Sequence, residues 1–101
     1  MVEIRWTEQA LEDIDNIAEF IAKDSVKYAK IQVSRFFDGA EILKSQPQIG
    51  RIVPEIGDDK IRELIIGNFR MIYRIVSSHL VIILTVHHSR RLLINNPVFK
   101  K

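Results

Sequence analysis

Residues suited to acid-base or phosphate chemistry gather in the second half of this chain. The stretch RELIIGNFRMIYRIV (62–76) carries Arg62, Arg70 and Arg74 together with Tyr73, and VHHSRR (86–91) sets His87 and His88 ahead of Arg90 and Arg91. Cleaving RNA without a metal needs a base for the 2′-hydroxyl proton, an acid for the leaving oxygen and positive charge between them. Histidine titrates in the range that suits either proton role. A guanidinium is always charged and donates a planar fork to phosphate oxygens. The same arginines on a surface would equally hold a polyanion or an acidic protein segment with no chemistry at all.

Other chemistries are excluded or weak. The chain has no cysteine, which removes disulfides, thiolate nucleophiles and cysteine-ligated zinc. Adjacent histidines on a strand point to opposite faces, His79 lies in a separate turn, and no H-x-x-x-H pattern occurs, so no metal site and no cofactor is expected. The longest apolar run, LVIIL at 80–84, is too short to span a bilayer. The expectation is a cytoplasmic protein with no membrane partner. With 101 residues, 47% of them apolar, and only four glycines and three prolines, a single ordered domain over 1–101 is expected.

The formal net charge of +2 conceals an uneven distribution. Residues 1–61 hold eight Lys/Arg against twelve Asp/Glu, a balance of −4, whereas residues 62–101 hold seven against one, Glu63, a balance of +6. Such asymmetry suits an acidic partner or a polyanion.

The elements that position these groups follow from periodicity. Val2, Ile4 and Trp6 alternate with Glu3 and Arg5 as in a short strand with one buried face. Thr7 then caps a helix with Leu11, Ile14, Ala18 and Ile21 at helical spacing, ending near Asp24 and Ser25. A second helix places Val26, Ala29, Val33, Phe36 or Phe37, Ala40 and Leu43 on one side and stops before Pro47. The short break between them makes an antiparallel hairpin that needs a sheet to cover it. Strands are expected at 51–55, on an edge because of Pro54, and at 60–66, 69–76 and 80–86, the last reading as central. Turns fall at 57–59, 67–68 and 77–79, and one helical turn is placed around 89–94. The order is β-α-α-β-β-β-β, an α+β fold with an N-terminal strand and helical hairpin on a twisted, mostly antiparallel sheet.

The succession WTEQALEDIDNIAEFIAKDSVKYAKIQV, QPQIGRIVPEI, IRELIIGNFRMIYRIV and VIILTVHHSRR resembles the ParE/RelE superfamily of bacterial toxins, or plasmid stabilisation proteins, over about Ile4 to Leu92. The resemblance implies a microbial-ribonuclease-like α+β fold and growth inhibition as the toxin of a type II toxin-antitoxin system. It also implies neutralisation by a cognate antitoxin whose acidic segment wraps the toxin, forming a hetero-oligomer. RelE-like members cut messenger RNA on the ribosome, and ParE-like members poison DNA gyrase. Gly50 with Arg51, the phrase VPE, RELIIGNFRMIYRI and VHHSR look closest to the ParE side, so gyrase is the expected target. The alternatives are ribosome-dependent messenger cleavage and a degenerate copy that only binds.

The resemblance also assigns roles. Arg70 and Tyr73 match the family's arginine-x-x-tyrosine, and His87 matches the histidine of its valine-histidine-x-x-arginine ending. For a ribonuclease the candidates are Glu55 or His87 for proton transfer and Arg70, Arg90 and Arg62 for the phosphate. For target or antitoxin binding they are Arg51, Arg70, Tyr73, Arg74, Arg90 and Arg91. By strand parity Arg62 turns toward the helices unless it reaches the rim or pairs with Glu55, while Arg70 and Arg74 share a face and are expected to line a basic groove. Trp6, Phe36, Phe37 and Phe69 read as core rather than as stacking platforms for bases. No counterpart of the RelE lysine cluster is present near RIVPEIGDDK.

Overall fold

The computed structural model describes residues 1–89. Strand β1 (Glu3–Trp6) leads through Thr7 into helix α1 (Glu8–Ala22), and helix α2 (Val26–Ser45) returns antiparallel to it. Strands β2 (Arg51–Ile52), β3 (Ile61–Ile66), β4 (Phe69–Ser77) and β5 (Leu80–His88) follow. The sheet order is β1-β5-β4-β3-β2, with β1 parallel to β5 and the remaining neighbours antiparallel. The expected element order, hairpin and mostly antiparallel sheet are all present. The expected helical turn around 89–94, with Arg90 and Arg91, lies outside the described residues.

Each helix starts where a side-chain oxygen takes up an orphan amide. Thr7 accepts from the Ala10 N–H at 3.0 Å, and Ser25 accepts from the Tyr28 N–H at 3.1 Å. The main core lies between the helices and one sheet face, and includes Ala10, Ile14, Phe36, Leu43, Met71, Tyr73, Ile83 and Val86. Two residues expected there are instead exposed: Leu11 at 43% and Val26 at 59%. In α1 the fully buried residues are Ala10 and Ile14, with Ile17, Ala18 and Ile21 half-buried. Of the aromatics, Phe36 is buried and meets Phe69 edge-on at 5.5 Å, while Phe37 lies half open against Trp6 at 4.9 Å.

The β4–β5 ladder shifts register twice, between Ile72 and Tyr73 and between Ile75 and Ser77. At the β3–β4 hairpin Gly67 takes φ +61°, as the first loop residue of a type II′ turn requires. In β5, Thr85 pairs with Ile72 and Ile83 with Tyr73, so Leu84 has no counterpart and forms a bulge. The bulge is held from α1. One oxygen of Asp13 accepts from the Thr85 hydroxyl at 2.6 Å and from the Val86 N–H at 3.0 Å, and the Thr7 hydroxyl donates to the Leu84 carbonyl at 2.8 Å.

The expected strand at 51–55 is corrected. Arg51 and Ile52 pair with β3 and the Val53 N–H still donates to the Ile61 carbonyl at 3.2 Å, after which the chain turns away, the Val53 carbonyl accepting from Ile56 and Gly57. Residues 53–60 then cross the sheet face opposite the helices as a strap. Val53 and Ile56 pack there on Ile61, Ile72 and Leu84, making a second, smaller core. Pro54 and the short β2 together end the pairing at this edge.

Replacing the Phe36 ring tests the main core. Phe36→Ala should lower the unfolding free energy by about 3 to 5 kcal/mol, read from the midpoint and slope of urea denaturation.

Candidate functional site

The strapped face carries the charged residues that strand alternation sends away from the helices. The hairpin register sets Ile65 opposite Arg70 and Glu63 opposite Ile72, and β5 sets His87 opposite Arg70. Arg51 pairs with Glu63 from β2. Opposite residues of an antiparallel pair share a face. Arg51, Glu63, Arg70 and His87 therefore converge on one side of the sheet, and the strap adds Glu55.

Arg51, Glu63, Arg70 and Glu55 form one chain of ion pairs. The Arg51 Nε donates to Glu63 Oε1, and the Arg70 Nε donates to Glu63 Oε2. The rest of the Arg70 guanidinium forms a fork on Glu55, Nη1 to Oε2 at 2.8 Å and Nη2 to Oε1 at 3.1 Å. Arg70 is 5% exposed and Glu63 is 1% exposed. Burial would lower the Arg70 pKa, but the bonds to Glu55 and Glu63 override it, and the guanidinium is held above its ordinary value. The Arg70 fork in turn holds the Glu55 carboxyl below the usual carboxylate range, against the opposing effect of desolvation.

On the helix-facing side, β4 and β3 place Tyr73 opposite Arg62, and both pin the loop after α2. The Tyr73 hydroxyl donates to the Pro47 carbonyl at 2.7 Å and accepts from the Gly50 N–H at 2.9 Å. The Arg62 Nη1 donates to the Gly50 carbonyl at 3.0 Å, and its Nε donates to the Asp59 carbonyl at 3.1 Å. Desolvation raises the Tyr73 pKa, with the Gly50 amide and the Arg62 charge opposing it. Gly50 has no room for a side chain: a Cβ there would lie 2.6 Å from both the Glu63 carbonyl oxygen and the Tyr73 hydroxyl.

Several sequence expectations change accordingly. Glu55 pairs with Arg70, not with Arg62, because Arg62 stays on the helix-facing parity and escapes along the 48–50 loop instead. Arg70 and Arg74 share a face but line no common basic groove. Arg70 is enclosed by two carboxylates, whereas Arg74 is exposed and makes no ion pair among the described residues. Tyr73 has no exposed surface and both faces of its hydroxyl are engaged, so it offers nothing for an outside partner to touch. Arg51 remains exposed while bound to Glu63.

His87 is buried, with Nδ1 2.9 Å from the His88 carbonyl oxygen. His88 faces the other way, edge-on to Phe69 at 5.8 Å. A cleft of about 330 Å³ lies beside them, lined by Asp13, Asn16, Phe20 and Phe69 among others. Among the described residues no group of three or more His, Cys, Asp or Glu is arranged to hold a metal, and no helix is long and apolar enough to cross a membrane.

Sequence reasoning passed over Glu63, which joins three strands. Two signals mark it. It is the only acid in residues 62–101, and its parity, counted back from a two-residue hairpin loop at Gly67–Asn68, puts it on the face of Arg70 one pair away.

Acid should open this network from Glu55. Its folded-state pKa is depressed, so protonation favours the unfolded chain. The stability it contributes is complete above the unfolded value of about 4.3 and is lost as pH falls through the lower folded one. In pH-dependent denaturation, Glu55→Gln should lower stability near neutrality and flatten the loss on the acid side relative to wild type. Parallel curves for the two proteins would contradict the assignment.

Comparison with known proteins places this fold. Among solved structures, the chromosomal ParDE toxin-antitoxin system of P. aeruginosa aligns at a TM-score of 0.68 and 20% identity, covering 87% of this chain and 96% of that one. The toxin-antitoxin complex RelBE2 of Mycobacterium tuberculosis aligns at a TM-score of 0.61 and 23% identity, covering 86% and 96%. No curated relative matches the chain. The pattern of the family described as "ParE toxin of type II toxin-antitoxin system, parDE" matches residues 4–93, nearly the whole sequence, and the chain belongs to that family.

Proposed function

We propose that this chain is the toxin of a type II toxin-antitoxin pair, and that it arrests growth by binding DNA gyrase rather than by cutting RNA. The observation that carries this reading is the enclosure of Arg70. A guanidinium held between Glu55 and Glu63, with Arg51 on the other oxygen of Glu63, belongs to a formally neutral network, and a phosphate approaching it must displace one carboxylate while facing the other. Tyr73 and His87 are buried as well, so among the described residues these two offer little surface to an RNA substrate. The family assignment supports the toxin role. The related structures, described as a ParDE system and a RelBE2 toxin-antitoxin complex, support an antitoxin as the neutralising partner.

One arrangement favours the ribonuclease reading. His87 lies directly opposite Arg70 with Glu55 in contact with the same guanidinium, an acid, a base and a cation on one face. Two assays on purified protein separate the readings: gyrase supercoiling, and primer-extension mapping of messenger ends in a reconstituted translation reaction. The expected outcome is loss of supercoiling with intact messenger. Cuts inside ribosome-occupied codons that vanish in His87→Ala or Arg70→Ala, with supercoiling unaffected, would overturn the proposal.

A further inference from the structure

The two edges of the sheet differ. At the β2 edge, pairing stops after two residues and the chain leaves through Pro54 into the strap. At the other edge, β1 has β5 on one side and no strand on the other among the described residues. The Glu3 N–H donates to the His79 carbonyl at 2.7 Å and the Thr7 N–H to the Ile83 carbonyl at 3.1 Å, so the odd-numbered residues of β1 direct their backbone groups toward β5. Alternate residues of a strand direct theirs the opposite way. The N–H and C=O of Ile4 and Trp6 therefore line the open edge. The Val2 amide on that side is already held by the Lys44 carbonyl at 3.0 Å, which bounds the free stretch.

Side chains complete the picture. Ile4 and Trp6 turn toward the helices and pack on the main core. Glu3 and Arg5 lie exposed on the opposite face, bonded to each other within the chain. An exposed pair of this kind contributes little to stability and exchanges partners readily.

We propose that β1 is a self-pairing edge, at which a second copy of this chain adds antiparallel about a two-fold axis through Ile4. Ile4 of each copy faces Ile4 of the other as the hydrogen-bonded pair and exchanges two N–H···O bonds with it. Glu3 of each copy then faces Arg5 of the other, at the non-hydrogen-bonded positions where opposing side chains come nearest. The triplet Glu-Ile-Arg is complementary in charge to its own reversal, and this specifies a second copy as the occupant. Strand β1 has no proline, and its two exposed charges are of opposite sign, so they attract a reversed copy where charges of one sign would repel it. The ladder is short, so the dimer forms reversibly with concentration.

Sedimentation equilibrium of the purified full chain across a concentration series tests this with a charge swap. Wild type should show a monomer–dimer equilibrium. Glu3→Arg alone or Arg5→Glu alone sets like charges opposite one another twice per dimer, and each should weaken association by about tenfold or more. The double variant Glu3→Arg, Arg5→Glu restores opposite charges and should return association close to the wild-type value, which separates pairing from any general loss of fold. A wild-type chain that remains monomeric at every concentration would overturn the proposal. So would a dimer indifferent to both single reversals.

Discussion

A carboxylate with almost no solvent exposure has to be matched, and Glu63 is matched twice. Desolvating a charge costs several kcal/mol unless partners and hydrogen bonds replace the lost water. Arg51 from β2 and Arg70 from β4 supply those partners, one to each oxygen. Because Arg70 has donors left over, it reaches Glu55 and draws the strap down with it. The strap then covers Ile72, Ile61 and Leu84, which would otherwise be an open apolar patch on an unprotected sheet face. Register of the β3 hairpin, closure of the β2 edge and the second core thus depend on one buried side chain. Its neighbours are neutralised in the process, which is why the face richest in functional candidates presents little free charge.

The opposite face is governed by an analogous constraint on neutral groups. The loop leaving α2 carries backbone carbonyls and amides that α2 itself cannot satisfy. Tyr73 takes one of each from inside the core, and Arg62 takes two carbonyls from the rim. Gly50 allows this contact because its missing side chain lets the hydroxyl and the β3 backbone close in. Arg62 and Tyr73, cross-strand neighbours, therefore act together on a loop that lies more than ten residues away in sequence. A residue type associated with catalysis is here used to pin a loop.

How much of this was readable in the sequence divides along the distance between partners. Local rules placed both helices, the Thr7 cap, the Gly67–Asn68 hairpin and the alternation of β4, because each depends on residues a few positions apart. Strand parity also placed Arg70 and Tyr73 on opposite faces. The strap was misread as a strand because RIVPE alternates well enough, and nothing within five residues reveals that Val53 will leave the sheet to pack on Ile72. The Leu84 bulge was likewise invisible. It is created by Asp13, more than seventy residues away, and an acid near the start of a helix looks like an ordinary dipole-stabilising residue.

The same separation governs charge. Of the seven Lys/Arg in residues 62–101, Arg62, Arg70 and Arg74 lie among the described residues, and charge on a surface is what remains after pairing. Arg70 is consumed by acids from two other segments and Arg62 is turned onto carbonyls, leaving Arg74 as the exposed cation of β3 and β4 that pairs with nothing described. Among the described residues, positive potential at this face is therefore weaker than the count of Arg62, Arg70 and Arg74 implies, and it falls further over Glu55, which stays partly exposed beside Arg70. Electrostatic steering of a long polyanion requires several uncompensated cations acting together. A surface of alternating, mutually satisfied charges instead favours partners that match it point by point, as protein surfaces do. That physical preference, more than any single side chain, is what supports the proposal of a protein target over RNA.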